Sequence, residues 1–459
     1  MQSKLGFCYK KAATVFIVAA GLVASASYAQ DVFSQPDDSF AGRVSFGARN
    51  PVYAGTKVAV EGQNFKPGQT VTVERGQTRL NATSYTVAEN GEFKGEIDIP
   101  KDAVIGIHPI VVTVENPDAA MVVDMKISPQ VPVQNADHYD VSVVKPAAGL
   151  YQSAYSAKTN MLFVSAAVGR PPVKDASLIK IDADTMQVAA VIAPAEANEK
   201  SGRFAPYGIG VDDQHGTVWV TNTRQSTLAV YKQEDLSLVK QFEENVLPGG
   251  RDVVVDEALN RVYISSPRGS EIYVFDTEKM ELLTKIDIRS TQPRATFNSM
   301  SLALDKDAHR LYTVSMTTPE VAVIDTQANA VLNVFAVAGL KGGSGIAIDG
   351  KNARIYAVGQ RIDGVMILDA NSGEVLHKVF TGAGSLNVAF NAVDGLAYVS
   401  NRGAGTLTAV DGDGKVVSNL DIGPFVNHAY IDPKGRIFVT NKAQGENDRG
   451  DQVTRLIAK

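Results

Sequence analysis

The chain has 459 residues, 44% of them hydrophobic and 20% charged; this balance excludes a disordered chain and leaves room for more than one folded domain. With 50 acidic against 44 basic side chains the net charge is −6, so nonspecific attraction of the whole molecule to nucleic acid is not expected. The single cysteine, Cys8, precedes an apolar run, which argues against a lipid anchor and leaves the mature chain without a disulfide, a cysteine nucleophile or a thiolate metal site.

Residues 1–29 have the pattern of a secretory signal peptide. Lys4, Lys10 and Lys11 give a positive start, Ala12 to Ala24 an apolar centre, and Ser27-Tyr28-Ala29 a small-x-small cleavage site. The apolar stretch is too short for a membrane anchor. No later segment is apolar enough to span a bilayer, so a periplasmic protein with no membrane span is expected.

Short alternating strands fill residues 42–127, as in Thr56 to Val60 and Thr70 to Glu74. Asn90-Gly91 signals a type I′ hairpin, and Pro100 ends the strand that follows. The spacing predicts a small β-sandwich. Gly62, Phe65, Pro67 and Gly68, then Gly91, Phe93, Gly95, Pro100, Ala103 and Gly106, resemble the motifs of bacterial immunoglobulin-like modules. Such modules act as spacers or as docking units for an envelope partner. Residues 128–137, with Pro129 and Pro132, read as an extended linker.

From 138 to 459 one unit recurs seven times. Its clearest copies are Val218–Asn222, Val262–Ser266, Ala397–Asn401 and Ile437–Asn441. Each is a β-branched and aromatic run followed by a second strand that usually ends in Asp. A repeat of about 40–50 residues marks a β-propeller blade. The last copy ends before a fourth strand, and Tyr139 to Lys145 is predicted to supply it, closing the ring. The fold class is therefore all-β: an immunoglobulin-like sandwich, then a seven-bladed propeller.

Tyr155-Ser156, Pro206-Tyr207-Gly208, Asn387 before Ala389-Phe390-Asn391, and Tyr398-Val399-Ser400-Asn401-Arg402 resemble the YncE-like, YVTN-repeat group of periplasmic propellers. The resemblance implies a soluble, exported seven-bladed protein. It implies no single reaction, because the group includes binding proteins, lactonase-like enzymes and haem-enzyme domains.

Propeller loops alternate between two faces. The loops joining strand two to three and blade to blade carry Arg170, Arg203, Arg224, Arg251, Arg268, Arg294, Arg361, Arg402 and Lys442. The opposite loops carry Asp212-Asp213, Asp256-Glu257, Asp305, Asp307 and Asp432, with Asp182, Asp184, Asp276, Asp411 and Asp413. Guanidinium groups on one concave rim sum their fields and suit phosphate or carboxylate oxygens. The competing account pairs them with Glu271, Glu320 or Asp363. Asn298, Ser344, Asn387, Asn427 and His428 are expected at the channel entrance, where they either bond a ligand or stabilise turns.

There is no phosphate-binding loop, dinucleotide fingerprint or nucleophile elbow. The six histidines are dispersed, Asp411-Gly412-Asp413-Gly414 reads as a hairpin turn, and Trp219 as core. No cofactor is expected. The sequence favours a noncatalytic binding or scaffold protein whose arginine-rich mouth takes an anionic small molecule or an acidic protein or polymer. Two alternatives stand beside it: a metal-dependent, lactonase-like hydrolase, and a single-stranded nucleic-acid binder, disfavoured by the lack of stacked channel aromatics.

Overall fold

The computed structural model describes residues 37–48, 50–442 and 449–459. The expected signal peptide lies outside the described residues. No helix among them is long and apolar enough to cross a membrane. The chain divides into two compact units, one mainly within residues 37–125 and one mainly within residues 126–459.

The first unit has two sheets. One joins Arg43–Phe46, Lys57–Gln63 and Phe93–Asp98; the other includes Thr70–Arg75, Gly106–Glu115 and Ala119–Ser128. Alternation drives the burial: Val58 and Val60 on one sheet, and Val71, Val73, Val112 and Val114 on the other, point inward. Phe93 of the first sheet stacks on Tyr85 of the second, ring centres 5.3 Å apart. The Asn90-Gly91 turn differs from the expected type I′. Only Gly91 takes a left-handed φ (76°), its N–H bonds to Ala88 O at 2.9 Å, and Ala88 N–H bonds to Glu92 O at 2.9 Å. This is a type I turn closed by a glycine bulge, because the loop is one residue longer than a two-residue hairpin allows.

The second unit holds seven four-stranded antiparallel sheets. The seven second strands fall where the repeats predict, as in Thr217–Asn222, Arg261–Ser265 and Ile437–Asn441. Tyr139–Val144 pairs antiparallel with Val453–Ala458 and completes the last sheet. Second strands are continuous apolar runs because both faces are covered: Thr217–Asn222 is buried at every position.

Seven apolar clusters join the seven sheets. Phe163 and Leu178 meet Val218 and Ala229; Trp219 meets Val262 and Phe275; Tyr263 meets Leu311. Tyr312 meets Ile355, Tyr356 meets Ala397, and Tyr398 meets Val439. The seventh cluster puts Phe438 and Val453 of the last sheet against Leu162 and Ile179 of the first. An open row of seven sheets has six interfaces, so the seventh makes a ring. The linker is extended but not free: Gln134 bridges to Asn419, whose Nδ2 donates to Val131 O at 3.0 Å.

The repeated Asp at the end of third strands is a turn device. Asp182 Oδ1 accepts from Asp184 N and Thr185 N, and Asp276, Asp325 and Asp369 repeat the pattern. These backbone N–H groups hold Asp182, Asp325 and Asp369 below the usual carboxylate range. Asp411 caps its hairpin likewise.

Candidate functional site

The first strands line the channel. Six of the seven shift register near their start, at Leu150/Ser153, Pro206/Ile209, Ser299/Leu302, Gly343/Gly345, Ser385/Asn387 and Val426/His428. Such a bulge re-aims one side chain and leaves backbone groups unpaired. Aligned on these shifts, the residues at one level are Gln152, Gly208, Asp252, Ser301, Gly345, Asn387 and His428. They form a polar ring. Gln152 Nε2 donates to Asp252 Oδ1 at 3.0 Å, and Asp252 Oδ2 accepts from Leu302 N at 2.8 Å. Gly208 must be glycine, because a Cβ there would lie 1.7 Å from Arg251 O.

This ring separates two spaces. On the side of the strand-one-to-two loops lies a cavity of about 450 Å³, walled by Ala154, Val254, Ala303, Ala347 and Ala389 and rimmed by Asp213, Glu257 and Lys306. His428 and Asn387 line it, and His428 also feels the charge of Arg251. The expected asparagines bond backbone groups. Asn427 Nδ2 donates to Tyr151 O at 2.9 Å, Asn387 Oδ1 accepts from Ala429 N at 2.9 Å, and Asn298 Nδ2 donates to Pro267 O at 2.6 Å. Backbone groups at these loops and bulges need partners, and short amides supply them.

His428 Nδ1 accepts from Ser153 N at 3.4 Å. Its enclosure in the channel, with repulsion from Arg251, pushes its pKa down to about 3. The folded chain therefore binds fewer protons at this site than the unfolded chain once pH falls below the ordinary value of 6.5. Stability is expected to drop as pH falls from about 6.5 towards 3, and a His428→Asn variant should lose less. Urea midpoints at neutral and mildly acid pH measure this; identical pH slopes in both proteins would refute it.

On the other side of the ring, four cations converge. Tyr151 and Tyr207 stand at the start of the first strands of sheets one and two, and their rings meet at 4.3 Å, tilted by 36°. Lys442 Nζ lies 3.3 Å over the Tyr151 ring, and the Arg251 guanidinium 5.0 Å over the Tyr207 ring. The rings are too close to admit a cation between them, so the order is Lys442, Tyr151, Tyr207, Arg251. Arg224 Nη2 donates to the Tyr151 hydroxyl at 3.2 Å, and Arg402 sits 4.9 Å over Phe425. The aromatic faces hold the cations by their quadrupoles and fix their positions. Burial, then Arg402 and Arg224, push the Lys442 amine down to about 7, with Asp451 opposing. Arg224 Nη1 and Arg251 Nε are buried without a hydrogen-bond partner among the described residues.

The remaining arginines are elsewhere. Arg203 pairs with Glu196 at 3.1 Å. Arg170, Arg268, Arg294 and Arg361 are exposed and spread over other sheets. The acids named as competitors are otherwise engaged: Glu271 with Lys285 at 3.3 Å, Glu320 with Ser290 and Thr291, and Asp363 with Lys126 at 2.5 Å. On the opposite face cations are neutralised, Arg436 by Asp432 at 2.6 Å and Arg310 by Asp325 at 3.1 Å. The sequence reasoning missed Tyr151 and Tyr207; tyrosine at the same place in two consecutive first strands was the available signal. Among the described residues no three His, Cys, Asp or Glu side chains gather as a metal site.

No family model matches the chain. It is 26% identical over 328 residues to the uncharacterized protein YncE of Salmonella typhimurium, covering 67% of this chain and 88% of that one. YncE of Escherichia coli O157:H7 is 28% identical over 257 residues, covering 53% and 68%. Virginiamycin B lyase from Staphylococcus aureus superposes with TM-score 0.55 at 12% identity, over 69% of this chain and 99% of that one. The β-propeller domain of Myceliophteria_thermophila Cps50 (Swd1) gives 0.52 at 9% identity, over 69% and 99%. The structural likenesses carry the fold alone. Together with the YncE relatives, they support a YncE-like β-propeller.

Proposed function

We propose that this chain is an exported, noncatalytic binding protein: a seven-bladed propeller behind an immunoglobulin-like module, taking an anionic ligand at its mouth. The observation that carries it is the meeting of Arg224, Arg251, Arg402 and Lys442, two of them with orphaned buried N–H groups. Like charges repel, and a buried donor without an acceptor costs about 1–3 kcal/mol. A cluster that bears both costs is best explained by an anion that relieves them. The leader pattern supports a periplasmic site, and the first unit serves as spacer or dock for an envelope partner.

Nucleic acid fits less well. The Tyr151–Tyr207 pair is a tilted aromatic contact that sequence reasoning did not foresee, and both rings already carry cations. A base has no open ring to stack on.

Calorimetric titration with citrate, pyrophosphate and polyaspartate tests the proposal. At least one should bind, and Arg224→Ala/Arg402→Ala should weaken it by at least roughly 100-fold, since each of the two charged hydrogen bonds contributes about 1.5–3 kcal/mol. Arg294→Ala, in an exposed loop, should change little. Equal binding by the wild type and the double variant would remove the site.

A further inference from the structure

We propose that Lys442 captures the carbonyl group of an anionic aldehyde or ketone as a reversible imine, with Arg224 and Arg402 holding the ligand's carboxylate or phosphate. This inference rests on the anion-binding role of the mouth and names the ligand class for it.

A lysine becomes a nucleophile when its surroundings disfavour the ammonium, as partial burial beside other cations does. Lys442 has both conditions. The Tyr151 face beneath its amine favours the ammonium, but partial burial and the neighbouring Arg402 and Arg224 outweigh that pull, and no described carboxylate forms an ion pair with it. Arg402 approaches from sheet six and Arg224 from sheet two, while Asp451 on its own sheet acts the other way. Asp451 is already engaged, accepting from Gly149 N at 2.8 Å. Together these bring the amine's pKa to about 7, so a large share is neutral at physiological pH without any further base. The arginines stay charged throughout. One site thus offers fixed positive charge for the anionic end and a free lone pair for the electrophilic end.

The step balances without an oxidant or a metal. The amine lone pair forms a bond to the carbonyl carbon, and the C=O electron pair takes up a proton to give a carbinolamine. Loss of that hydroxyl as water, with release of the nitrogen's proton, leaves C=N. Amine and carbonyl are exchanged for imine and one water, and hydrolysis reverses it.

The full chain is incubated with sodium pyruvate in mildly alkaline buffer, reduced with cyanoborohydride, and its lysine-containing peptides are compared by mass spectrometry. Lys442 should carry the reduced adduct at least ~10-fold above any other lysine, a selectivity that follows from its activation. Lys442→Arg should abolish that label, and Arg224→Ala/Arg402→Ala should suppress it by a similar factor. Lactate, with the same charge and no carbonyl, should compete. Binding of lactate without preferential labelling of Lys442 overturns the imine and leaves the anion site standing. If neither lactate nor pyruvate binds, and no anion of the earlier titration does, both fall together. Even labelling across many lysines also overturns it.

Discussion

Arg436→Ala is expected to destabilise the ring by roughly 3–5 kcal/mol, because it strips a buried ion pair of one partner. Arg436 is 5% exposed. Its Nε bonds Asp432 Oδ2 at 2.6 Å within the seventh sheet. Its Nη1 bonds Ala183 O at 3.1 Å and also Asp184, and its Nη2 bonds Asn160 Oδ1 at 3.0 Å, all in the first sheet. The guanidinium lies beside the stacked Tyr155 and Phe438 rings, 5.4 and 5.6 Å from their centres. One side chain therefore ties the last sheet to the first. The alanine variant leaves Asp432 buried against no cation. An Arg436→Met/Asp432→Asn double variant removes both charges and keeps much of the volume, so it should recover part of the loss. Urea denaturation of the three proteins measures the difference. A single variant no weaker than the double one would show that the pair is solvated and that the ring closes by apolar contact alone.

The parts of the fold that were legible in sequence are those with two covered faces. Val218–Asn222 and Ile437–Asn441 read as strands because packing from both neighbouring sheets demands continuous apolar runs. The closing strand was legible for a different reason: the last repeat lacked a partner that Tyr139 to Lys145 alone could supply. First strands were harder. A bulged channel strand such as Gly343–Asp349 is built from Gly, Ser, Ala and Ile, and its small and polar positions look like loop. The bulge also decided the fate of Asn298, Asn387 and Asn427, since it creates unpaired backbone groups nearby that a periodicity argument does not see. The candidate site was legible as a charge bias and not as a place. Which arginines meet depends on ring geometry, which brings Tyr151 and Lys442 within 3.3 Å although nearly the whole propeller lies between them in sequence. The acidic bias of the other face has a local cause, the capping of hairpins by Asp182, Asp276, Asp325 and Asp369.

Tyr139→Ala should cost a further class of stability, about 3–5 kcal/mol, the usual range for truncating a large aromatic core residue. Tyr139 is 7% exposed and opens the strand that completes the seventh sheet. Its hydroxyl lies 3.1 Å from the Tyr398 hydroxyl and 3.0 Å from Ser418 Oγ, and its ring meets that of Tyr398 edge-on at 6.4 Å. Both partners belong to the sixth sheet, so Tyr139 joins the N-terminal closing strand to the neighbouring sheet as well as to its own. Tyr139→Phe removes only the hydroxyl and should cost about 1 kcal/mol, since Tyr398 keeps its bond to Asp394 Oδ2 at 2.7 Å. The alanine variant has a second consequence. When the closing strand detaches, Val453–Ala458 becomes an exposed edge, and exposed edges template association. Its unfolding should become less cooperative and its aggregation faster, both measurable by circular dichroism and light scattering during thermal melts. Equal melting of the alanine and phenylalanine variants, with unchanged scattering, would mean that the strand contributes local pairing and nothing to closure.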